Sequence, residues 1–478
     1  MQLRPSSRPA FLALAASLLL AGCAAPQLAP KYEVPPLADM PITFKEGRGA
    51  WVNAAPADTL ERGPWWELFD DPVLDDLESR VQVSNQNVAA AIAAYAQARA
   101  FTREQRASLF PQVNLDVRSN RTGGPDTPTR STYQWSIGAT WEPDVFGRLR
   151  LGVESARAAE QVSEADLAAA RLANQGELAT NYFNLRQSDV AYALQAATLA
   201  GYARSLQITR NRYEAGVVAR TDVLQAESVY TNSQADLLTL ERQRANFEHA
   251  IAVLVGKAPA DFSIAVDPKW SVKVPAIPPE VPSTLLQRRP DIAAAERQVA
   301  QANAQIGIAR AGFFPSINLT GSLGSSATSI GDLFSVHNLV WALGSSVAQM
   351  IFDAGATQAR VEQARASLDQ SAARYRQSVL TAFQDVEDQL VGLRVLGQQQ
   401  SLRLEASRAA DLVERQVLNR YEAGQVNYTE VITAQQNAAT ARRSLVQAQV
   451  DHQLAAVALI QALGGGWSGL ATTASRGP

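Results

Sequence analysis

The sequence predicts a mainly α-helical fold with a transmembrane β-barrel portion, built from a duplicated unit of helix, β-hairpin, long helix and return helix. Three observations predict it: an internal repeat of about 205 residues, two stretches of alternating apolar and polar residues, and two very long helical stretches. Because the features occur twice in the same order, both halves are expected to share one architecture.

The first residues are typical of an export signal. Residues 1–22 carry Arg4 and Arg8, then an apolar run too short to span a bilayer comfortably, then small residues. Cys23 is the only cysteine, so it forms no intramolecular disulfide. It follows Leu-Ala-Gly, which resembles the lipobox of bacterial lipoproteins and implies an acylated Cys23 in the outer membrane; the alternative is an incidental thiol. An acyl chain contributes about 0.8 kcal/mol per buried methylene, so it anchors without spanning.

The internal repeat is a duplication of a whole unit. Residues 211–227 (NRYEAGVVARTDVLQAE) recur as residues 419–435 (NRYEAGQVNYTEVITAQ), with ten of seventeen positions identical. The segment SLFPQVNL at 108–115 recurs as GFFPSINL at 312–319. A stretch with six prolines, 257–282, is the expected joint between the halves.

Each half begins with a helical stretch and then changes its periodicity. The helix over 72–110 is expected to end at Phe110, because a proline disfavours helical geometry in the residue before it, and Phe314-Pro315 ends the matching helix. Strict alternation follows at Tyr133, Trp135, Ile137, Ala139 and Trp141, and more loosely at Trp341, Leu343, Val347 and Ile351. Each half is therefore predicted to carry one hairpin, at about 112–146 and 316–352.

A very long helix follows each hairpin. Roughly sixty residues at 1.5 Å each reach about 90 Å, far beyond the diameter of a globular domain. Gly216 and Gly424 are expected to break these helices before a shorter helix returns. The predicted ranges are 150–212 and 358–420 for the long helices, and 220–256 and 428–463 for the return helices.

The predicted strands match a bilayer better than a soluble sheet. No later segment is apolar for the length that a transmembrane helix requires, whereas tilted strands of about ten residues cross the hydrocarbon core. Aromatic residues suit the two membrane interfaces: Tyr133, Trp135, Trp141 and Trp341. A soluble sheet resting on a helix is the alternative.

Four strands do not close a barrel. An open edge in lipid leaves backbone groups unpaired at a cost of several kcal/mol each, so the chain must share its barrel with other copies. Two copies give eight strands, whose interior side chains fill, whereas three give twelve strands and a water-filled lumen. A homotrimer is therefore predicted.

Charge and motifs argue against catalysis and nucleic-acid binding. The formal charge is -3, and loss of Arg4 and Arg8 with the signal leaves 41 basic and 46 acidic residues, or -5. The three histidines, His249, His337 and His452, are scattered, and no phosphate loop or metal-spaced cluster is present in the sequence. No catalytic residues, metal site, cofactor or nucleic-acid partner are expected, and the chain is not expected to be an enzyme.

Several motifs, in order and doubled, carry a family resemblance. With the lipobox, the hairpin entries and the paired RYEAG turns, the segment PWWELFDDPVLDDL at 64–77 and the closing ALGGGW at 462–467 resemble the outer membrane factors, the TolC family. The resemblance is to its lipoprotein branch, the OprM- and NodT-like exit ducts of resistance-nodulation-division efflux systems. It implies a homotrimer with a twelve-strand β-barrel in the Gram-negative outer membrane and a twelve-helix periplasmic tunnel.

The resemblance also implies a function and partners. The chain would passively conduct drugs or other small molecules received from an inner-membrane resistance-nodulation-division pump and a periplasmic adaptor protein. A type I protein-secretion exit duct is the alternative within the family. A periplasmic coiled-coil adaptor or scaffold is the alternative from another class, and it leaves the two alternating hairpins unexplained.

In the family, the turn between long and return helix forms the periplasmic tip, which gates the tunnel and docks the adaptor. The matching residues here are Arg212, Tyr213, Gly216, Asp222, Arg420, Tyr421, Gly424 and Glu430. The alternative is structural: glycine, tyrosine and arginine are useful in any helix hairpin, and the two acids could cap the returning helices. The sequence departs from the family pattern at Val426, where some relatives carry a latching arginine, and at Thr433, where some carry an aspartate.

The predicted domain boundaries follow from these features. They are 1–22 for the signal peptide, 23–71 for the acylated N-terminal segment and linker, 72–281 for the first repeat with its linker 257–281, 282–466 for the second repeat, and 467–478 for the tail. Trp65 and Trp66 are expected to be buried core anchors.

Overall fold

The computed structural model describes residues 28–36, 44–46, 64–275 and 288–465. The predicted signal peptide 1–22, Cys23 and the tail 467–478 lie outside these residues. The chain divides into two compact units. The sheet unit comprises residues Met1–Pro36, Ala94–Glu164 and Ala294–Arg376, and the helical unit comprises Leu37–Ala93, Ala165–Ala293 and Gln377–Pro478.

Apart from one additional helix at the start of the first half, the described elements follow one another in the same order in both halves. The first half contains α1 (Pro72–Ser84), α2 (Gln86–Ala107), β1 (Gln112–Gly124), β2 (Thr127–Trp141), α3 (Arg148–Glu214) and α4 (Arg220–Leu254). The second half contains α5 (Pro290–Ala311), β3 (Ser316–Ala327), β4 (Leu339–Ala348), α6 (Ala356–Glu422) and α7 (Tyr428–Ala462). Short 3-10 turns occupy Trp65–Phe69, Pro259–Asp261 and Val336–Asn338.

The duplicated helices have equal lengths. α3 and α6 both span 67 residues, and α4 and α7 both span 35 residues. At 1.5 Å per residue the long helices measure about 100 Å, and each extends two residues beyond both predicted ends. Among the described residues, no helix combines the length and the hydropathy needed to cross a membrane.

The prediction of one helix over 72–110 is wrong, because Asn85 separates α1 from α2. The backbone of Asn85 is extended, and its Oδ1 accepts hydrogen bonds from the amides of Asn87 and Val88 at 2.9 and 3.1 Å. Its Nδ2 donates to the carbonyl of Leu254 at 2.8 Å. Asn85 thus starts a new helix with its side chain and ties this start to the end of α4. α2 also ends earlier than predicted, at Ala107, before two turn hydrogen bonds that precede Pro111.

The four strands form one antiparallel sheet in the order β1-β2-β3-β4. The two hairpins therefore pair with each other through β2 and β3 within the sheet unit. β4 ends at Ala348, so the predicted alternation through Ile351 is wrong at its end. β1 and β4 are the edge strands, and in the described part of the chain neither has a second neighbour.

The core of the helical unit forms around aromatic residues before and within the long helices. Trp65, Phe69 and Phe183 are buried, with ring centroids 6.3 Å apart for Trp65 and Phe69 and 5.1 Å apart for Phe69 and Phe183. Trp66 is buried beside them, so the expectation of two core tryptophans is confirmed. Burial of aromatic surface of this size is a main source of stability in the unit.

A buried ion network fastens the segment after α4 to the helices. The carboxylate of Asp189 accepts hydrogen bonds from Arg186 at 3.0 Å and Arg244 at 2.7 Å. The two guanidinium groups also donate to the carbonyls of Ala265 and Ile264. Paired and hydrogen-bonded in this way, the charges avoid the penalty of unpaired burial, and the network holds residues 264–267 against α3 and α4.

Candidate functional sites: an apolar sheet face and two helix turns

The register of the sheet collects the apolar residues on one face. Leu115 pairs with Ile137, Ile137 pairs with Leu323, and Leu323 pairs with Trp341, which makes one row across all four strands. Residues opposite each other in antiparallel strands point to the same side. Leu115 is 68% exposed and Trp341 is 70% exposed, so this row lies on an open surface.

Alternate residues along each strand also lie on the same face, so the apolar row is part of a larger apolar face. The exposed large apolar residues on this face are Val113, Leu115, Val117, Ile137, Trp141, Leu319, Leu323, Leu339, Trp341, Leu343 and Val347. The opposite face carries Asn114, Asp116, Arg118, Gln134, Ser136, Thr140, Asn318, Thr320, Ser322 and Ser346, with Val340 as an apolar exception. A contiguous apolar face of this extent marks a surface that meets lipid or another protein.

The four predicted interface aromatics lie on the apolar face at different levels. Along β2, Trp135 and Trp141 are six residues apart, about 20 Å at 3.3 Å per residue. The Nε1 of Trp135 donates to the carbonyl of Leu333 at 3.3 Å, and that of Trp141 donates to the carbonyl of Leu109 at 3.0 Å. Tyr133 lies two residues beyond Trp135, whereas Trp341 is level with Ile137, between the two tryptophans.

The two helix turns have the same backbone. Gly216 has a φ of 73° and Gly424 a φ of 76°, the left-handed conformation that glycine adopts without a steric penalty. In each turn the glycine amide donates to the tyrosine carbonyl at 2.9 Å, Gly216 to Tyr213 and Gly424 to Tyr421. The next amide then donates to the arginine carbonyl at 2.8 Å in both turns. Both long helices therefore end in the same glycine-dependent motif.

The side chains of the two turns differ. Arg212 donates from Nη1 to the carbonyl of Tyr421 at 2.6 Å, and its guanidinium lies 4.5 Å from the centroid of the Tyr421 ring. The Oη of Tyr421 is 3.3 Å from Thr209 Oγ1, and its ring is 5.6 Å from that of Tyr428. Tyr421 is only 1% exposed. The structure therefore brings Arg212 and Tyr421 together, in a cluster named here the tip cluster: Thr209, Arg212, Tyr421 and Tyr428.

The residues that correspond to Tyr421 and Arg212 in the other turn, Tyr213 and Arg420, remain on the surface. Tyr213 is 44% exposed, and Arg420 and Glu430 are exposed. Asp222 is half-buried. Burial of Tyr428 raises the pKa of this tyrosine to about 12, and the neighbouring tyrosines and the charge of Asp222 add to the effect. Across the described ranges, the side chains form no hydrogen bond or ion pair at four of the predicted tip residues: Arg420, Tyr213, Asp222 and Glu430.

The two acids do not cap the return helices with their side chains. The side chain of Asn427 caps α7 by accepting from the amide of Glu430 at 3.1 Å, and α4 begins after Ala219 without a side-chain cap. Asp222 and Glu430 lie in the first turns, where a negative charge is favourable to the helix dipole. The alternative that they provide cap hydrogen bonds is therefore wrong.

Sequence reasoning missed Thr209, Asn427 and Tyr428. Tyr428 aligns with Arg220 in the repeat, so the tyrosine is a departure between the halves that could have marked a contact. Two ion pairs nearby were also missed, Arg204 with Glu422 at 3.0 Å and Arg210 with Glu227 at 2.6 Å. Exposed pairs of this kind contribute little to stability.

No group of three histidine, cysteine, aspartate or glutamate side chains that could hold a metal ion occurs among the residues that the structure describes. The tip cluster and the sheet face contain hydrogen-bonding and apolar groups without an arrangement of nucleophile and base. Their chemistry is that of packing and of contact surfaces.

Comparison with known proteins agrees with this architecture. The solvent efflux pump outer membrane protein SrpC of Pseudomonas putida is 32% identical over 468 residues, 96% of this chain and 98% of that protein. The cation efflux system protein CusC of Escherichia coli is 29% identical over 462 residues, 96% of this chain and 98% of that protein. The open state of the Neisseria gonorrhoeae MtrE outer membrane channel superposes with a TM-score of 0.82 at 29% identity, covering 92% of this chain and 98% of that one.

The family model for outer membrane efflux proteins matches residues 77–257 and 281–465. The two matched segments coincide with the two halves of the duplication, each with its strands and its helix turn. The family is a transport component rather than an enzyme. The chain therefore belongs to the outer membrane efflux protein family.

Proposed function

We propose that three copies of this chain assemble into the outer-membrane exit duct of a tripartite efflux pump, which passively conducts small molecules from the periplasmic side to the outside. The observation that carries the proposal is the open four-stranded sheet with one exposed apolar face and one polar face. Such a sheet suits a wall between lipid and water, with the polar face toward the lumen.

The edges of the sheet support the trimer. β1 and β4 each present one row of backbone donors and acceptors that no strand of the described chain pairs. In lipid these groups must be satisfied, and pairing β4 of one copy with β1 of the next does so. Three copies provide twelve strands, enough to leave a water-filled lumen, whereas eight strands fill their interior with side chains.

A contact of the N-terminal segment supports anchoring by an acylated Cys23. Arg310 donates from Nη1 to the carbonyl of Leu28 at 3.0 Å, and α5 ends one residue later, shortly before β3 begins at Ser316. Cys23 precedes Leu28 by five residues in the sequence, and an acyl chain on it would anchor the chain to the membrane without spanning it.

The helix turns are the proposed periplasmic gate and adaptor-docking tip. The contact of Arg212 with Tyr421 joins the two turns of one copy, and in the proposed gate it breaks when the tip opens. Tyr213, Arg420 and Glu430 are free to contact a neighbouring copy or the adaptor. Three copies of Asp222 and of Glu430 would favour cations at the constriction.

The driving force and the selection of substrate belong to other proteins in this proposal, a periplasmic adaptor and an inner-membrane resistance-nodulation-division pump. The relatives support this division, because one is named for solvents and another for cations although both align over nearly their full length. Their names also favour small-molecule efflux over type I protein secretion.

Reconstitution of the purified full chain into planar bilayers tests the duct and its gate. The wild type is expected to show small, cation-selective conductance steps, and Tyr421→Phe combined with Asp222→Ala is expected to enlarge them. The first change removes the hydroxyl that contacts Thr209, and the second removes the proposed ring of three carboxylates at the constriction. Tyr192→Phe, at an exposed tyrosine of α3 outside the turns, is the matched control and should leave conductance unchanged. Absence of discrete steps contradicts the duct, and equal steps in all three proteins contradict the gate.

A further inference from the structure

The duplication creates two equivalent surfaces on the helices that precede the hairpins. Phe110 and Phe314 mark the same position, which gives an offset of 314 − 110 = 204 residues. With this offset Arg99 corresponds to Asn303, Arg103 to Gly307 and Arg106 to Arg310. All of these residues belong to the sheet unit.

The surface on α5 is occupied by the N-terminal segment of the chain. Asn303 donates to the carbonyl of Pro30 at 2.8 Å, and Arg310 donates to the carbonyl of Leu28 at 3.0 Å. A Cβ at Gly307 would lie 2.9 Å from the backbone nitrogen of Ala29, so the glycine is needed for this close approach. The α5 surface is thus a groove for an extended peptide.

The equivalent surface on α2 is open. It is a cavity of about 390 Å³ lined by Ala96, Arg99, Thr102, Arg103, Arg106 and Glu160. Arg103 replaces the glycine that admits the peptide backbone on α5, so the groove has changed from a peptide site to a cationic one. We name it the arginine groove.

The charge of the arginine groove is not balanced by its own residues. Glu160 lies 3.9 Å from Arg99, a weak pair, and the described residues show no ion pair for Arg103 or Arg106. Three arginines at spacings of four and three residues repel one another along one helix face. The positive charge of Arg106 is stabilised by the C-terminus of α2, whereas Arg99 and Arg103 lie further from that end. A bound anion would stabilise all three.

The position of the groove selects the anion. Arg106 is followed by the exposed Phe110 and then by β1, whose Val113 begins the apolar sheet face. Lipid contacting that face places its headgroups at the level where the strands end. Guanidinium groups bind phosphate through paired hydrogen bonds, which suits a phosphodiester at that level.

We propose that the arginine groove binds the phosphate of an anionic lipid headgroup in the periplasmic leaflet of the outer membrane. The proposal rests on the membrane location of the sheet in the proposed function. The bound headgroup takes, in the first half, the place that the N-terminal segment takes in the second.

Native mass spectrometry of the full-length protein in detergent, with added phosphatidylglycerol or phosphatidylethanolamine, tests the groove. Wild-type protein is expected to retain phosphatidylglycerol preferentially, and Arg103→Gln combined with Arg106→Gln is expected to weaken retention about tenfold. Arg157→Gln combined with Arg365→Gln removes the same charge from exposed positions outside the groove and should match the wild type.

Competition with inorganic phosphate separates the two sources of the anion. Excess inorganic phosphate should not displace the lipid, since the acyl chains add to its affinity. Displacement by phosphate, or equal lipid retention by the wild type and the groove variant, overturns the proposal. Conductance of the wild type and of the groove variant is measured in parallel. If both proteins conduct and retain lipid equally, the groove proposal fails while the duct stands, whereas a wild type that forms no conductive pore contradicts the proposed function instead.

Discussion

The two helix turns have the same sequence motif and the same backbone, yet one tyrosine is buried and the other is exposed. Tyr421 is 1% exposed under Arg212, whereas Tyr213 is 44% exposed with no side-chain partner within the described residues. The difference arises because the two turns contact each other through one pair of residues. Arg212 of the first turn covers Tyr421 of the second turn, whereas Tyr213 is left uncovered. Duplication thus preserves the local structure, while the surroundings decide which tyrosine is buried and which stays exposed.

The largest expected difference is between the two tyrosines. Tyr421→Ala should lower the free energy of local opening of its turn by about 3 kcal/mol, because it removes a fully buried ring. Tyr213→Ala should change it by less than about 0.5 kcal/mol. Hydrogen exchange of the amides flanking Gly424 and Gly216 measures both, and equal effects would show that the two turns have the same environment.

Removing each arginine sharpens the comparison. Arg212→Gln should weaken the tip cluster by about 2 kcal/mol, because the contact with the Tyr421 ring and the bond to its carbonyl are lost together. Arg420→Gln should leave exchange at both turns unchanged. If Arg420→Gln proves the more damaging, the assignment of the intramolecular contact is wrong.

The glycines test what the two turns share. Gly216→Ala and Gly424→Ala should each cost about 1.5 kcal/mol of local stability, because both positions need a left-handed backbone and neither Cβ would meet an atom within 4 Å. Protease sensitivity and hydrogen exchange at the turns should rise equally in the two variants. A difference of more than threefold would mean that side-chain surroundings, rather than backbone geometry, set the cost.

A smaller effect is expected from the hydroxyl that contacts Tyr421. Thr209→Val should cost about 1 kcal/mol, because the buried Oη of Tyr421 loses its partner. Thr239→Val is the matched control, since its hydroxyl bonds only to the Ala235 carbonyl of its own helix and is exposed. Similar losses in both variants would exclude a role for the Thr209 hydroxyl in the tip cluster.

The smallest effect is a dependence on alkaline pH. Burial raises the pKa of Tyr428 from 10.0 to about 12, so its contribution to the tip cluster is complete below about pH 10 and is lost as the pH rises through about 12. Channel conductance should increase over that interval in the wild type. Tyr428→Phe should abolish the change, and persistence of the full change in this variant would assign it to another group.

The features set by local sequence could be predicted, and those set by tertiary contact could not. The repeat located Gly216 and Gly424 and placed the long helices to within two residues, because glycine and periodicity act locally. The alternation on β2 likewise predicted an apolar face. The start of a new helix at Asn85 was missed, because the bond of its Nδ2 to the Leu254 carbonyl joins residues far apart in the sequence.

The site shows the same division. Arg212 and Tyr421 could be named from the repeat, but identical RYEAG sequences contain no sign of which tyrosine is covered. Thr209 is one of many polar residues on a long helix, and only its contact with Tyr421 of the other turn distinguishes it. The openness of the arginine groove depends equally on where the N-terminal segment lies, which is beyond any local pattern.

The central claim is that one chain supplies a third of a closed wall. Native mass spectrometry of the full-length protein extracted from the outer membrane, with and without heating, measures the number of copies directly. The account predicts a complex of three chains that dissociates only on heating and that conducts in bilayers. A stable monomer or dimer with the same conductance would contradict it.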